Sequence, residues 1–290
     1  MDKRSLKLRS GHSIPVLGLG TWRLTGALCE KIVRQAIELG YRHIDTAELY
    51  GNEHEIGRAI KGFDRSDLFL VSKVWASNLC RGDLLKACEN SLKLLGTSYL
   101  DLYLIHWPSG SVPIGETMGA MAELVDNGMV RSTGVSNFDM EWCKKALDAS
   151  RIPVSVNQVE FHPHLYQGDL LDFCKGSGIV LTAYSPLART ELLDDGVLKR
   201  IAEGHGKTPA QVSLRWLVQH GMAVIPKSSS VEHLKENIDI FGWKLKKKEM
   251  DDIDAIRVFK RQVNPVLHKI PFFDTVAERY VKWNHGRRKG

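Results

Sequence analysis

The amino-acid sequence predicts an α/β protein built as a (β/α)8 TIM barrel, with an N-terminal β-hairpin and extra helices late in the chain. Three observations support this prediction: eight short apolar runs, amphipathic helical stretches between them, and a length of 290 residues, which suits one such barrel. Most of the apolar runs are nearly continuous in Val, Ile and Leu, as in parallel strands buried on both faces. An open doubly wound sheet is the structural alternative.

The strands and helices follow one another in a regular order. Strands are predicted at residues 16–21, 42–46, 68–74, 100–106, 130–135, 154–160, 179–184 and 223–225. Amphipathic helices are predicted at residues 27–39, 83–95, 117–127, 197–203 and 208–220. Gly40, Gly96 and Gly128 directly follow the first three of these helices, as C-terminal stops do. Thr208-Pro209-Ala210-Gln211 is a capping box with proline at the first helical position.

Two segments depart from this alternation. Residues 6–8 and 13–15, separated by Ser10-Gly11, predict a small hairpin ahead of the first barrel strand. The long stretch between the seventh and eighth strands contains the extra helices at 197–203 and 208–220. Because no Pro-, Gly- or Ser-rich linker divides the chain, we expect residues 1–290 to form a single domain.

The composition is typical of a globular protein with a sizeable core. Hydrophobic residues make up 43% of the chain and charged residues 26%, which excludes a disordered chain, a collagen-like fibre and a low-complexity linker. Forty Lys and Arg residues against 34 Asp and Glu residues give a net charge of +6. Part of this excess lies in basic runs at 244–248 and 287–289, so we expect a solvated surface and no nucleic-acid binding. The charge favours anionic ligands.

The sequence also predicts a cytoplasmic protein. No stretch reaches the ~18–20 apolar residues that a membrane-spanning helix requires, and the first residues lack the apolar run of a secretory signal. Five cysteines, an odd number without a Cys-x-x-Cys pair, favour free and mostly buried thiols. We expect Cys80 to be a small buried hydrophobe, and the protein to be a monomer.

Polar residues end most of the predicted strands. In a barrel of this kind the active site lies at the carboxyl ends of the strands. The residues at those ends are Asp45, Lys73, His106, Ser136, Asn137, Gln158, Glu160, Tyr184, Ser185, Lys227 and Ser228. Each alone could be a surface residue, but together they predict one polar pocket in an enzyme.

Four residues suggest the chemistry of this pocket: Asp45, Tyr50, Lys73 and His106. Tyrosine, with a pKa of ~10, is a poor acid at neutral pH. A nearby ammonium is expected to lower that pKa, and a carboxylate can hold the lysine in place. A neutral histidine can donate a hydrogen bond to a carbonyl oxygen, so the set suits protonation of a carbonyl that receives a hydride. Metal binding by His106, or by the ligand-like pair His162 and His164, is the rival interpretation, but no third ligand stands at a usual spacing.

The sequence lacks the usual dinucleotide fingerprint. Its nearest approach is Gly18-Leu19-Gly20-Thr21-Trp22-Arg23, in which Arg23 stands where the third glycine belongs. No Walker A motif is present either. A nucleotide cofactor, if used, would therefore not be bound by a Rossmann fold.

These residues lie in motifs that resemble the aldo-keto reductases, and within that family the prokaryotic members similar to 2,5-diketogluconate reductases. The resemblance runs in order over about residues 5–260. Its motifs are Gly18-Leu19-Gly20-Thr21-Trp22, His43-Ile44-Asp45-Thr46-Ala47, Tyr50-Gly51-Asn52-Glu53, Val71-Ser72-Lys73, Leu104-Ile105-His106-Trp107-Pro108, Gly134-Val135-Ser136-Asn137-Phe138, Asn157-Gln158-Val159-Glu160, Ala183-Tyr184-Ser185-Pro186-Leu187 and Ile225-Pro226-Lys227-Ser228.

The resemblance implies an NADPH-dependent reductase of aldehydes and ketones. Use of NADH as well stays open, and we expect no metal. Tyr50 is implied as the general acid, Lys73 and Asp45 as the pair that lowers its pKa, and His106 as the residue that orients the carbonyl. The implied cofactor residues are Gly20, Thr21, Trp22, Asp45, Ser136, Asn137, Gln158, Tyr184, Ser185, Leu187, Ile225, Pro226, Lys227, Ser228, Ser229, His233, Glu236 and Asn237. The implied substrate residues are Trp22, Leu49, Tyr50, Trp75, His106 and Trp107, although Trp107 could equally be a core aromatic.

The chain departs from the family pattern at three places. His233 stands where NADPH-preferring members have arginine, which weakens the prediction of strict NADPH specificity. The loop after His106 is short, with about ten residues before the predicted helix, so we expect an open site. The C-terminal tail, with Phe272, Phe273 and Trp283, diverges from the family pattern, so we assign no contacts to it. Two other functions remain open: a non-catalytic cofactor-binding or structural protein, and a lyase or isomerase on the same barrel.

Overall fold

The computed structural model describes residues 4–263, apart from the side chain of Arg189, and confirms the predicted barrel. Eight parallel strands are hydrogen-bonded to one another in chain order. Bridges from Leu17 to Val224 and from Gly20 to Lys227 join the first of these strands to the last, so the sheet closes on itself. The barrel strands are β3 (Gly18–Gly20), β4 (His43–Asp45), β5 (Phe69–Val74), β6 (Leu102–Ile105), β7 (Thr133–Ser136), β8 (Val154–Glu160), β9 (Val180–Tyr184) and β10 (Ala223–Val224).

A short antiparallel hairpin precedes the barrel, as predicted. It consists of β1 (Ser5–Lys7) and β2 (Ser13–Pro15). Leu8 and Ile14 of this segment belong to the same buried apolar cluster as inward-facing barrel residues such as Phe69 and Leu102. The hairpin therefore seals the amino-terminal end of the barrel and leaves the carboxyl end for the site.

Helices pack around the barrel and bury their apolar faces against the strands in one continuous core. They are α1 (Gly26–Glu38), α2 (Glu53–Ile60), α3 (Arg81–Leu95), α4 (Ile114–Asp126), α5 (Met140–Ala149), α6 (Gly168–Gly176), α7 (Gly196–His205), α8 (Pro209–Gln219), α9 (Val231–Ile238) and α10 (Lys247–Asp254). The extra helices predicted before the last strand are α7 and α8. Among the described residues, no helix has both the length and the apolarity to cross a membrane.

Local signals of the sequence set several helix ends. Gly40, Gly96 and Gly128 have positive φ angles, as predicted for C-terminal stops. The capping box before α8 is formed, because Thr208 and Gln211 exchange side-chain and backbone hydrogen bonds. Helix α4 begins at residue 114 and not at 117, so the loop after His106 is even shorter than predicted.

Candidate active site

The polar residues predicted at the strand ends meet at one end of the barrel. Parallel neighbouring strands bring their carboxyl ends to the same rim. Asp45 ends β4, Lys73 lies next to the end of β5, and His106 directly follows β6. Strands β7 to β9 contribute the rest of the rim: Ser136, Asn137, Gln158, Glu160 and Tyr184.

Lys73 is fully buried at the centre of this rim. Its Nζ atom donates to Asp45 Oδ1 at 2.7 Å and to the carbonyl oxygen of Thr46 at 2.8 Å, and it lies 3.4 Å from the hydroxyl of Tyr50. The other carboxylate oxygen of Asp45 accepts from Gln158 Nε2 at 2.7 Å. Tyr50 ends a 3₁₀ turn that Gly51 terminates in the left-handed conformation, and this turn places the phenol beside the ammonium. The structure thus brings Asp45, Tyr50 and Lys73 into one row.

The electrostatics of this row differ from the prediction at one point. Burial raises the pKa of Tyr50 well above its usual value, and the negative charge of Asp45 adds to the effect. The sequence predicted a lowered pKa because of Lys73, whereas burial, which is the larger effect, and the charge of Asp45 both raise it. Burial also lowers the pKa of Lys73, an effect that the ion pair with Asp45 opposes. Tyr50 is accordingly a neutral hydroxyl donor over the whole physiological pH range.

His106 lies against Tyr50 and Trp75. Its ring centroid is 5.7 Å from that of Tyr50 and 5.1 Å from that of Trp75, both in edge-on arrangements. Burial, followed by the charge of Lys73, lowers the pKa of His106 well below its usual value. The imidazole is therefore neutral at physiological pH, as predicted, and is a hydrogen-bond donor without being an acid.

Aromatic side chains line the entrance to this row. The ring of Trp22 lies 4.8 Å from that of Tyr50, while Trp75 and Trp107 form a small buried cluster against which Leu49 packs. A cavity of about 500 Å³ opens beside Trp107, Asn137 and Tyr184, within the usual size range of small-molecule sites. Trp107 is the predicted substrate residue that lines this cavity, whereas the rings of Trp22, Tyr50, His106 and Trp75 contact one another in that order.

The residues predicted to hold a nicotinamide are connected to one another. Ser136 Oγ donates to the carbonyl oxygen of Gln158 at 2.9 Å. Asn137 Nδ2 donates to the carbonyl oxygen of His106 at 2.9 Å and to Ser136 Oγ at 3.1 Å, and Tyr184 donates from its hydroxyl to Asn137 Oδ1 at 2.9 Å. These four residues form one hydrogen-bonded group next to the Asp45 row.

The first and last barrel strands continue the rim. Gly20 N donates to the carbonyl oxygen of Pro226 at 3.2 Å, and a Cβ atom on Gly20 would lie 2.6 Å from the carbonyl oxygen of Ile225. Glycine is therefore required for this close approach. Thr21 is buried and donates from its hydroxyl to the carbonyl oxygen of Asp45 at 2.9 Å, so its side chain stabilises the end of β4.

The remaining predicted cofactor residues lie at the last strand, at α9 and directly after β9. Lys227, Ser229 and His233 are exposed, whereas Ser228 and Asn237 are buried. Ser230, which sequence reasoning did not single out, caps α9 by accepting from the backbone N–H of His233 at 3.3 Å. Three residues complete the predicted set: Ser185 and Leu187, which follow β9, and Glu236, which accepts from the hydroxyl of Thr208.

His162 and His164 are engaged by carboxylates. His162 Nε2 contacts Glu160 at 3.0 Å, and His164 Nε2 contacts Asp195 at 2.9 Å. Within residues 4–263, no group of three or more His, Cys, Asp and Glu side chains is arranged to hold a metal ion. Cys80, predicted to be buried, is exposed because it is the cap residue before α3, while the other four cysteines are buried.

Sequence reasoning gave no role to several residues that support the site. Glu160, noted only as a polar strand end, accepts from the backbone N–H groups of Gln262 and Val263, and Val263 packs against the cluster of Trp75 and Trp107. Asn52 appeared only within a motif, although it is a buried hydrogen-bonding centre. No local pattern indicates such contacts. The tail residues Phe272, Phe273 and Trp283 lie outside the described residues.

Comparison with known proteins agrees with this arrangement. A sequence profile described as "Aldo/keto reductase family" matches residues 16–258. The chain is 45% identical over 262 residues to the glyoxal reductase of Bacillus subtilis (strain 168), covering 89% of this chain and 95% of that protein. The solved aldose reductase of Schistosoma japonicum superposes with a TM-score of 0.88 at 37% identity, covering 91% of this chain and 95% of the other. A structure described as a 2,5-diketo-D-gluconic acid reductase B gives 0.88 at 40% identity, with the same coverage.

Proposed function

The chain belongs to the aldo/keto reductase family, as its motifs predicted, and from that premise we propose an NADPH-dependent reductase of aldehydes and ketones in which Tyr50 is the general acid. Reduction of carbonyl groups follows from the family and from reductases among the relatives. The observation that supports the assignment of roles is the buried row of Asp45, Lys73 and Tyr50 beside His106.

In this proposal Tyr50 transfers its hydroxyl proton to the carbonyl oxygen of the substrate. Burial keeps the phenol protonated, so the acid form is present at every physiological pH. Negative charge develops on the phenolic oxygen as the proton leaves, and the ammonium of Lys73, 3.4 Å away, stabilises that charge. Asp45 and the carbonyl of Thr46 hold the ammonium in place.

His106 orients the carbonyl. Because its pKa is lowered by burial and by the charge of Lys73, the imidazole stays neutral and donates an N–H to the carbonyl oxygen without releasing a proton. Trp22 and Trp75 lie against Tyr50 and His106 respectively, and we assign them, with Leu49 and Trp107, to the walls that contact the rest of the substrate.

The residues at the rim fit a nicotinamide dinucleotide, which supplies a hydride when bound. The amide and hydroxyl groups of Ser136 and Asn137 suit a carboxamide, and the ring of Tyr184, joined to Asn137, suits a flat aromatic ring. Gln158 uses its amide nitrogen on Asp45, so we assign its oxygen to the carboxamide. We assign Ser185, Leu187 and Lys227 to the pyrophosphate and the ribose. We assign Glu236 and Asn237 to the adenine.

Preference for NADPH over NADH is assigned to the region around the start of α9. Exposed Lys227 and His233 and buried Ser228 lie in or near its first turn, where a helix N-terminus also favours anions. Histidine offers one donor to a phosphate, whereas arginine offers a planar fork. We therefore propose a modest preference for NADPH. We also propose that the protein works in the cytoplasm, because its five cysteines are all unpaired.

Tyr50→Phe tests the assignment of the acid. The wild-type protein is expected to oxidise NADPH when an aldehyde is added, whereas the variant should bind NADPH normally and lose about 10²–10⁴ in kcat, because only the transferable proton is removed. Tyr99→Phe is the matched control: Tyr99 lies between the guanidinium groups of Arg65 and Arg131, outside the proposed site, and its loss should leave kcat unchanged.

Two results would contradict this proposal. If Tyr50→Phe keeps more than about a tenth of the wild-type kcat, well above the expected range, another group is the acid. If the wild-type protein binds NADPH but does not oxidise it with a panel of keto-sugars, dicarbonyls and aromatic aldehydes, the non-catalytic alternative is favoured.

A further inference from the structure

Asn52 occupies the N-cap position of α2, yet its side chain does not cap the helix. Asparagine is favoured at this position because its side-chain oxygen can accept from a free backbone N–H of the first turn. Here the amide is completely buried and points to other segments. Its oxygen accepts from Thr46 Oγ1 at 2.7 Å, and its nitrogen donates to the carbonyl oxygens of Thr21 and Leu24, both at 2.9 Å. The Asn52 side chain thus makes three hydrogen bonds to other segments in place of one hydrogen bond that would cap α2.

The two carbonyl groups belong to a tight turn of residues 21–24. Leu24 N donates to the carbonyl oxygen of Thr21 at 2.9 Å and closes the turn. Arg23, the third residue of the turn, has a φ of 63°. This conformation favours glycine, because the Cβ of any other residue crowds the backbone. A non-glycine residue persists there only when surrounding contacts hold it, and the Asn52 amide supplies two such contacts.

The same amide connects this turn to the proposed catalytic row. Trp22, within the turn, has its ring 4.8 Å from the ring of Tyr50, and Tyr50 precedes Asn52 by two residues. Thr46, which donates to Asn52, also accepts from Lys73 Nζ through its carbonyl oxygen at 2.8 Å. The buried side chain of Asn52 therefore joins three segments. They carry Trp22, the proposed acid Tyr50, and the Thr46 carbonyl that accepts from Lys73.

On the premise of the function proposed above, we propose that Asn52 is a positioning residue for the reduction. Its two N–H donors hold the strained 21–24 turn, and its oxygen holds Thr46. Through these contacts Asn52 keeps Trp22, Tyr50 and Lys73 in the geometry that proton transfer requires. Asn52 itself does not touch the reacting atoms. Its removal should therefore lower kcat much more than it weakens the binding of NADPH.

The test combines Asn52→Ala with two substitutions of Arg23. Asn52→Ala should lower kcat for a small aldehyde by about ten- to a hundredfold, as expected when a supporting residue lets reacting groups shift by up to about an ångström. Added to it, Arg23→Gly should restore at least about fivefold of the loss, because glycine adopts the left-handed conformation without the penalty, a factor of about 5–30, that other residues face. Arg23→Ala is the matched control, since it removes the same guanidinium, keeps the Cβ and should restore nothing.

The melting temperature gives a second readout that does not depend on turnover. It should be lower for Asn52→Ala than for the wild type. In that background it should be raised by Arg23→Gly and not by Arg23→Ala. If Asn52→Ala is not recovered as folded protein, the yields of folded double variants are compared in the same way, with the same order expected.

Two outcomes would overturn the positioning role: a wild-type kcat in Asn52→Ala, or equal rescue by glycine and alanine at position 23. A wild-type protein without turnover, combined with the expected order of melting temperatures, would instead overturn the proposed reaction and leave only the structural link between Asn52 and the turn.

Discussion

Lys73→Met should both lower the free energy of unfolding and abolish turnover, and the two effects can be measured separately. The lysine side chain is fully buried, and that of Asp45 is 2% exposed. Methionine fills most of the volume but removes the charge and all three donors. Asp45 then keeps one strong donor, Gln158 Nε2, and becomes a buried carboxylate without a counter-charge.

The expected magnitude follows from this burial. Removing one partner of a buried ion pair costs about 3–5 kcal/mol of unfolding free energy, whereas replacing both partners by neutral groups of similar volume is often nearly neutral. We therefore expect Lys73→Met to lose about 3–5 kcal/mol and the double variant Asp45→Asn with Lys73→Met to recover most of that loss. Turnover should stay below about 1% in both, because neither retains an ammonium beside Tyr50.

Urea unfolding of the wild type, both single variants and the double variant at pH 7 measures the coupling between the two residues. A matched control is the exposed pair of Lys145 and Glu141, which has the same N–O distance of 2.7 Å but side chains 50% and 75% exposed. A double-mutant cycle with Lys145→Met and Glu141→Gln should give a coupling energy of about 0.3–0.5 kcal/mol between these two residues. If the stability losses at Asp45 and Lys73 simply add, or if the double variant regains turnover, our reasoning about this pair is wrong.

Two further predictions concern histidines. Because the pKa of buried His106 is lowered well below 6.5, the unfolded chain binds the extra proton first, and the free energy of unfolding should fall as the pH drops below about 6.5, by up to about 1.4 kcal/mol per pH unit for this group. Urea unfolding between pH 7 and 5 should show a shallower decline in His106→Gln, and an identical decline would refute this account. His233→Arg should tighten NADPH binding several-fold, on the order of 1 kcal/mol for an exposed ion pair, and leave NADH little changed. Dissociation constants for both cofactors check this, and an unchanged ratio would mean that His233 does not face the 2′-phosphate.

The sequence by itself determined the architecture of this protein, because short-range signals are sufficient for it. The stretch predicted as a strand at 154–160 coincides with β8, because its three valines favour an extended and buried strand. The capping box at Thr208 sets the start of α8. Where the prediction was too long, as at 16–21, the strand is limited to the three residues of β3 that pair with β4. The order of the strands then places their polar ends on one rim.

Tertiary packing alone decided how those polar residues act on each other. Gln158 and Asp45 are 113 residues apart in the chain, yet they share a hydrogen bond of 2.7 Å. The side chain of Asn52 does not cap α2, although asparagine is favoured as a cap at that position. Arg23 adopts the left-handed conformation, which is unfavourable for residues other than glycine. The prediction of a lowered pKa for Tyr50 considered the charge of Lys73 but not the burial of the phenol, which raises this pKa. Desolvation and contacts between distant segments arise only when the whole barrel closes, so no local pattern of residues can encode them.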